Sequence, residues 1–218
     1  TKERRQALAY LMFLKRKKTG QIKGRGCADG RKQRAYTDKD EATAPTIATE
    51  SVFLCAVVDA LEGRCVAVAD VPGAFLQTDQ PLDEKVHIRL TGIMVDLLLK
   101  IDPEMYGPYV VYEGKEKVMY LELLKALYGT LRAARLFWEN LSGKLRGWGF
   151  EPNPYDSCVM NKTINGKQCT VGWHVDDVRV SHIDPLVVDK IIGLMSAEFG
   201  KEAPLTVSKE KVHEYLGM

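Results

Sequence analysis

Apolar residues recur along the chain with two different periods, and the period distinguishes helices from strands. Helical spacing predicts four helices, over residues 2–17, 46–61, 131–147 and 185–199. Gly63 ends the second of them. Asp184 followed by Pro185 is the N-cap and first-turn pattern that opens the last. Leu8, Leu11 and neighbouring apolar residues form the expected buried side of the first helix.

Short apolar runs between turn residues predict strands. They lie at residues 66–68, 85–90, 109–112, 118–122, 157–162, 168–175 and 178–181, with a basic strand or hairpin over residues 21–34. Asn165-Gly166 is a favourable two-residue hairpin turn, and a further turn is expected at Asp176-Asp177. Because helices and strands alternate irregularly, the pattern favours an α+β fold over a doubly wound parallel sheet.

Composition is that of a folded domain or of two closely packed subdomains, with 218 residues of which 45% are hydrophobic and 28% are charged. No apolar run reaches the roughly 18 residues that a membrane span needs, and the N-terminus lacks a signal-peptide pattern. The chain begins at Thr1 and ends at Met218. We therefore expect a segment excised from a longer polypeptide, without a membrane partner.

The five cysteines are odd in number and include no C-x-x-C pair, and the four histidines are scattered. Neither a disulfide framework nor a zinc site is indicated. Buried free thiols in a reducing compartment are the simplest interpretation, which predicts an intracellular protein that is not secreted.

Charge is distributed unevenly along the chain. Residues 1–39 contain 13 Lys and Arg against 3 Asp and Glu, a net charge of +10, whereas the whole chain carries only +2. A basic arm beside a mildly acidic body suggests a polyanionic partner, although a solvated lysine-rich surface gives the same pattern.

Three aspartates stand where predicted strands emerge from apolar segments. Asp70 ends one strand, and Asp176 and Asp177 lie at the tip of an apolar hairpin. Clustered carboxylates repel one another unless cations are present, and such oxygen ligands suit Mg²⁺. Two ions about 3.5–4 Å apart can activate a hydroxyl and stabilise a leaving pyrophosphate. Asp-Asp is also a common turn dipeptide, so the interpretation depends on the surrounding sequence.

The order of short motifs along the chain resembles the reverse transcriptase of copia-type LTR retrotransposons. Each motif is weak alone, but their order over nearly the whole chain is specific. The motifs are Ile22-Lys23-Gly24-Arg25, Ala28-Asp29-Gly30 with Gln33, Ala44-Pro45-Thr46, Asp70-Val71-Pro72-Gly73-Ala74-Phe75-Leu76, Leu127-Tyr128-Gly129 with Arg135 and Trp138, Gly149-Phe150, Val175-Asp176-Asp177, and Tyr215-Leu216-Gly217.

The resemblance implies a right-hand polymerase, with fingers and palm present, an antiparallel palm sheet packed on helices, and the thumb missing. Residues 1–45 would be fingers, residues 46–78 a first part of the palm, residues 79–130 a fingers insertion and residues 131–218 the second part of the palm. Its implied partners are dNTPs, an RNA or DNA template with a primer, and the other Pol domains (thumb, RNase H and integrase). Its implied location is a cytoplasmic virus-like particle or the nucleus.

The resemblance also implies the metal site. Asp70, Asp176 and Asp177 would be catalytic and would hold two Mg²⁺ ions, or Mn²⁺, with the Val71 carbonyl as a further ligand. Asp70 and Asp176 would be the principal ligands, because neighbouring side chains on a strand diverge.

The nucleotide contacts follow from the same resemblance. Phe75 would exclude a ribose 2′-hydroxyl, and Gly73 and Ala74 would offer backbone N–H groups to the triphosphate. Lys23 and Arg25 would reach the phosphates. Without the resemblance, Phe75 reads as an ordinary core residue and the two cations as a solvated edge strand.

Three positions depart from the family pattern. Arg132 stands where a glutamine that contacts the dNTP is usual, His174 replaces a tyrosine, and Arg31 replaces an aromatic residue. An arginine at position 132 could still meet a phosphate or ribose, so it remains a candidate nucleotide contact.

Two other interpretations remain open at this point. One is a catalytically decayed or co-opted remnant that binds nucleic acid without turnover. The other is a small α+β domain with no nucleic-acid role, which leaves the ordered motifs unexplained. A polymerase that copies DNA is a variant of the reverse transcriptase hypothesis, since the sequence does not distinguish RNA templates from DNA templates.

Overall fold

The computed structural model describes residues 2–17, 19–210 and 215. They fall into two compact units. Unit 1 comprises Thr1–Thr43 and Thr78–Leu136, and unit 2 comprises Ala44–Gln77 and Phe137–Met218. Both units contain mostly antiparallel sheet together with helices, so the α+β class expected from the sequence is confirmed.

Helices and strands are numbered in chain order. The helices are α1 (Lys2–Gln6), α2 (Lys39–Ala42), α3 (Thr49–Glu62), α4 (Ile93–Ile101), α5 (Pro103–Tyr106), α6 (Ala133–Gly147) and α7 (Pro185–Phe199). The strands are β1 (Leu8–Arg16), β2 (Ile22–Ala28), β3 (Cys65–Asp70), β4 (His87–Thr91), β5 (Val110–Glu113), β6 (Glu116–Glu122), β7 (Glu151–Pro152), β8 (Val159–Ile164), β9 (Lys167–His174), β10 (Asp177–His182) and β11 (Thr206–Ser208).

Unit 1 is built on a sheet with the strand order β2-β1-β4-β6-β5. β1 and β4 run parallel, and the other neighbouring strands run antiparallel. Its apolar core gathers side chains from β1, β4, α4 and β6, among them Leu8, Leu90, Val95 and Met119. β2 lies at one edge of this sheet, which leaves most of its side chains in solvent.

The helix predicted over residues 2–17 is wrong for most of its length. Only α1 is helical, and the segment from Leu8 to Arg16 is strand β1. This strand pairs with β2 from Tyr10 opposite Ala28 to Arg16 opposite Ile22, and it also pairs with β4. Pairing with distant segments supplies the backbone hydrogen bonds, and such tertiary context overrides a local apolar period.

Unit 2 is built on an antiparallel sheet with the strand order β11-β3-β10-β9-β8-β7. α7 packs on β3 and β10. Buried side chains of α6, α7 and the sheet form one core, which includes Phe137, Leu141, Val178, Val180 and Met195. These apolar residues hold β3 and β10, the two strands that carry the aspartates, at the centre of the unit.

Local signals in unit 2 act as the sequence predicts. Gly63 ends α3 in the left-handed conformation that glycine adopts without strain. The Asp184 carboxylate accepts a hydrogen bond from the Leu186 N–H and caps α7. Asn165 and Gly166 both have positive φ, 51° and 72°, and form the predicted hairpin turn between β8 and β9. No helix in the described part of the chain is both long enough and apolar enough to span a membrane.

Candidate active site

Asp70 and Asp177 occupy the ends of two adjacent strands. Asp70 is the last residue of β3, Asp177 is the first residue of β10, and the two are direct partners in the antiparallel ladder. Directly opposite residues in such a ladder project from the same face of the sheet. The pairing therefore places both carboxylates at one edge of unit 2 and on one side of its sheet.

Asp176 lies in the turn that joins β9 to β10. His174 pairs with Asp177, so the turn consists of Val175 and Asp176. It begins one residue before the predicted turn at Asp176-Asp177, because Asp177 already belongs to the strand. The Val71 N–H donates a 3.1 Å hydrogen bond to the Asp176 carbonyl, which ties this turn to the residue that follows Asp70.

Val175 adopts a left-handed backbone conformation, with φ of +56°. A β-branched residue is strained there, at a cost of about 1–2 kcal/mol. The ladder on one side and the Val71 hydrogen bond on the other hold this conformation. These two contacts therefore fix the backbone of the turn that carries Asp176, and they offset the strain at Val175.

The electrostatics of Asp177 indicate that the three carboxylates interact. Burial raises the pKa of Asp177, and the negative charges of Asp176 and Asp70 raise it further, while His174 opposes the shift. Like charges at such a site disfavour ionisation unless a cation compensates them. All the donors are hard oxygen atoms, the ligand type that suits Mg²⁺.

The three carboxylates do not converge into a ready-made coordination cage. Among residues 2–17, 19–210 and 215, no group of three or more His, Cys, Asp or Glu side chains is arranged to hold a metal ion. The oxygen donors and the mutual repulsion at Asp177 fit a divalent cation. The three carboxylate side chains would have to move closer together to bind one.

The segment after Asp70 forms a compact turn. Val71 and Ala74 are fully buried, and Gly73 has a positive φ of 60°, which glycine adopts without strain. Residues 74–77 continue as a short 3₁₀ helix. The Gln77 side-chain amide donates to the Pro72 carbonyl at 3.3 Å and closes the turn.

Phe75 is half-buried within this turn. Its ring centroid lies 6.4 Å from that of Phe137 on α6, at a tilted angle favourable to aromatic pairs. The side chain thus packs on the core of unit 2 and retains an exposed part. The buried part of the ring fits the interpretation of Phe75 as a core residue. The exposed part leaves an edge that the other interpretation, exclusion of a ribose 2′-hydroxyl, requires.

The candidate phosphate contacts Lys23 and Arg25 lie on β2 in unit 1. Both are exposed and separated by two positions, so they project from the same strand face. Lys23 is opposite Lys15, and Arg25 is opposite Phe13. The Arg25 guanidinium carbon lies 5.1 Å from the centre of the Tyr128 ring, which is a cation–π distance.

Arg132, also in unit 1, is engaged by an acidic residue that the sequence did not reveal. Its Nη1 lies 2.5 Å from the Glu84 Oε2, and each side chain is about one quarter exposed. The Arg132 Nε is buried and has no hydrogen-bond partner in the described part of the chain. Arg31 is likewise paired, with the Asp29 carboxylate.

The site residues expected from the sequence divide between the two units. Those brought together in unit 2 are Asp70, Val71, Gly73, Ala74, Phe75, His174, Asp176 and Asp177. Those in unit 1 are Lys23, Arg25, Arg31 and Arg132. Of the terminal motif, Tyr215 is buried and its hydroxyl lies 3.5 Å from the Asp177 carbonyl, while Leu216 and Gly217 lie outside the described residues.

A buried ion cluster beside the aspartates was missed from the sequence. Asp59 on α3 forms ion pairs with Arg179 on β10 and with Arg64, at 3.9 Å in the second case. The signals were present, since Arg179 interrupts an apolar strand and Asp59 interrupts an apolar helix. A buried charge requires a partner, but the sequence does not say which residue that partner is.

Comparison with known proteins identifies a family and a distant structural likeness. The model of the family described as reverse transcriptase (RNA-dependent DNA polymerase) matches residues 2–218. No curated protein sequence matches the chain. Among solved structures, a structure of telomerase from Candida albicans in complex with a fragment of telomeric RNA has 11% sequence identity and a TM-score of 0.40. The likeness covers 96% of this chain and 43% of that one.

Proposed function

The chain belongs to the reverse transcriptase (RNA-dependent DNA polymerase) family, and from this premise we propose that it transfers dNTPs onto a primer 3′-hydroxyl by two-metal chemistry. We assign it to the Pol polyprotein of a copia-type retrotransposon. The observation that carries the proposal is the direct pairing of Asp70 with Asp177 beside the Asp176 turn.

Unit 2 would be the palm and unit 1 the fingers. The unit boundaries after residues 43, 77 and 136 support this division, since the motif order assigns fingers to residues 1–45 and 79–130. Two strands of the antiparallel sheet of unit 2 carry Asp70 and Asp177, and the turn between β9 and β10 carries Asp176, which is the arrangement that a palm requires.

Asp70, Asp176, Asp177 and the Val71 carbonyl would hold the metal ions. Two Mg²⁺ ions, or Mn²⁺, would neutralise charge on the triphosphate and on the attacking hydroxyl. The raised pKa of Asp177 supports this assignment, because a site that disfavours its own negative charge gains from a bound cation.

The remaining residues would position the nucleotide. Phe75 would close the space beside the sugar C2′, so that dNTPs are preferred over rNTPs. Gly73 and Ala74 would offer backbone N–H groups to the triphosphate, and Lys23 and Arg25 would bind its phosphates. Arg132 would contribute after separating from Glu84. An RNA or DNA template with its primer, and the thumb, RNase H and integrase of the polyprotein, would be the partners, inside the cell.

Primer extension by the 218-residue chain tests this function. A labelled primer on RNA and on DNA templates is incubated with dNTPs or rNTPs in Mg²⁺ or Mn²⁺. Loss of a residue that only hydrogen-bonds a metal ligand reduces activity about 10–100-fold. Asp70→Asn, which would remove a metal ligand itself, should reduce extension by more than this. Asp189→Asn, which removes an exposed carboxylate elsewhere in unit 2, is the matched control. Extension by Asp70→Asn that equals measurable extension by the original chain would contradict the proposal.

A second candidate function is binding without catalysis, as a decayed or co-opted remnant. The specific observation in its favour is the ion pair between Arg132 and Glu84. Arg132 stands where the family has a residue that contacts the dNTP, and this ion pair already engages its side chain. Binding to single-stranded RNA whose affinity falls steeply with salt, without extension in any metal, would favour this candidate.

A further inference from the structure

Arg179 lies on the same face of β10 as Asp177. The two residues are two positions apart, and their partners on β3 are Val68 and Asp70. Residues separated by two positions on a strand project to the same side, about 6.6 Å apart along it. An extended arginine side chain covers this distance. Arg179 is therefore within reach of the Asp177 carboxylate, and only 14% of its side chain is exposed.

Asp59 of α3 holds the Arg179 guanidinium instead. The Asp59 side chain is 8% exposed and forms an ion pair with Arg179 through one oxygen, while its other oxygen faces Arg64 at 3.9 Å. Neither oxygen accepts a hydrogen bond of normal geometry from a described residue, so the attraction is ionic. No ion pair joins Arg179 to Asp177 among the described residues.

The other anions around this cluster are already engaged. Glu62 accepts a 2.8 Å hydrogen bond from Arg64. Asp156 accepts hydrogen bonds from the backbone N–H groups of Ala48 and Cys158. On the strand itself, the acidic side chain that shares a face with Arg179 is Asp177, two positions away.

We propose that Asp59 is a positioning residue, which holds Arg179 away from Asp177 so that this carboxylate stays available to a divalent cation. A guanidinium on Asp177 would supply the positive charge that the cation otherwise supplies, and would compete with it for the same oxygens. This inference rests on the proposed function, because it assumes that Asp177 contacts metal.

Mn²⁺ binding to the 218-residue chain, followed by electron paramagnetic resonance of the free ion, tests the inference without relying on activity. Asp59→Asn should weaken Mn²⁺ binding at least tenfold. Asp59→Asn combined with Arg179→Met, which removes the competing cation as well, should return it to within threefold of the original chain. Glu198→Gln, which removes a carboxylate of α7 that pairs with Lys144 of α6, is the control and should change nothing.

Far-UV circular dichroism establishes which variants fold. If Asp59→Asn alone does not fold, Asp59→Asn with Arg179→Lys is compared with Asp59→Asn with Arg179→Met, so that the cation is present in one chain and absent from the other. The chain with lysine should bind Mn²⁺ at least threefold more weakly. Equal binding in that pair, or Mn²⁺ binding by Asp59→Asn that equals the original chain, would overturn the inference.

Asp176→Asn separates this inference from the function on which it rests. If Asp176→Asn weakens Mn²⁺ binding and Asp59→Asn does not, the metal site stands and only the role of Asp59 fails. If Asp176→Asn leaves Mn²⁺ binding unchanged, the metal site itself is wrong, and the positioning role falls with it.

Discussion

Asp70 and Asp177 are direct partners in the ladder between β3 and β10, although they come from distant parts of the chain. Their neighbours on the ladder, Ala69 and Val178, are fully buried. Apolar packing on one face of the sheet therefore fixes the position of two carboxylates on the other. This repulsive arrangement is stabilised by the core rather than by any contact that the carboxylates make with each other.

The raised pKa of Asp177 predicts a pH dependence of stability. Burial, and then Asp176 and Asp70, raise this pKa above its ordinary value of 3.8. A carboxyl whose pKa is raised on folding stabilises the fold below its unfolded pKa, and this contribution is lost as the pH rises through the folded pKa. In EDTA, urea midpoints measured from pH 3 to pH 7 should therefore decline more for the original chain than for Asp177→Asn.

Mg²⁺ added at pH 7 should reverse this loss, since a ligand at 100 times its Kd stabilises a fold by about 2.7 kcal/mol. Asp177→Asn should gain less. Identical pH profiles for the two chains in EDTA would contradict the assigned cause of the shift.

Phe75→Val should relax the choice of sugar. If the exposed part of the ring closes the space beside C2′, the ratio of kcat/KM for dNTP to that for rNTP should fall at least about tenfold, equivalent to about 1.4 kcal/mol. Leu76→Val, an exposed change in the same turn, is the control. Equal ratios in the original chain and in Phe75→Val would leave Phe75 as a core residue alone.

Arg132→Ala should raise the dNTP KM about fivefold and change kcat less than twofold, because it removes a binding charge and no metal ligand. The lost ion pair with Glu84 should cost at most about 1 kcal/mol of stability, since both side chains are partly exposed. Lys125→Ala, which breaks the exposed pair with Asp79, is the matched control. An unchanged KM in steady-state kinetics would show that Arg132 does not contact the dNTP and only forms the ion pair with Glu84.

Gly129→Ala should destabilise unit 1 more than Gly63→Ala destabilises unit 2. Both glycines have positive φ, at a cost to alanine of about 1 kcal/mol. A Cβ at Gly129 would also overlap the Ala28 carbonyl, whereas a Cβ at Gly63 meets open space. Overpacking adds about 1–3 kcal/mol, so urea denaturation should separate the two variants. Equal costs would mean that the backbone at Ala28 yields easily.

Cys158 and Cys169 should resist alkylation in the folded chain. Burial raises the pKa of Cys158 to about 12 and that of Cys169 to about 11. Because the thiolate is the reactive form, iodoacetamide at pH 8 should modify both only after urea unfolding, as measured by peptide mass spectrometry. Rapid labelling without urea would show that β8 and β9 open under native conditions.

Local signals could be predicted from the sequence because their causes are local. Gly63 at the end of α3, the Asp184 cap and the Asn165-Gly166 turn each depend on a few neighbouring residues, and each prediction is confirmed.

Other features could not be predicted because distant segments decide them. The apolar spacing of β1 predicts a helix, but pairing with β2 and β4 makes the segment a strand. α4 was not predicted, because the apolar stretch that contains it has an ambiguous period. The partners of Arg132 and Arg179 were missed for the same reason, since a charge signals its need for a partner without naming it.

The sequence by itself identified the three aspartates as candidate site residues, and it indicated the α+β class and the family. Residue identity and the order of motifs are sufficient for these predictions. Only the tertiary structure decided that Asp70 and Asp177 are ladder partners, that the turn is Val175-Asp176, and that Asp59 engages Arg179. The register of a strand pair and the partner of a buried charge are set by packing between segments far apart in the chain. No pattern within one segment contains that information.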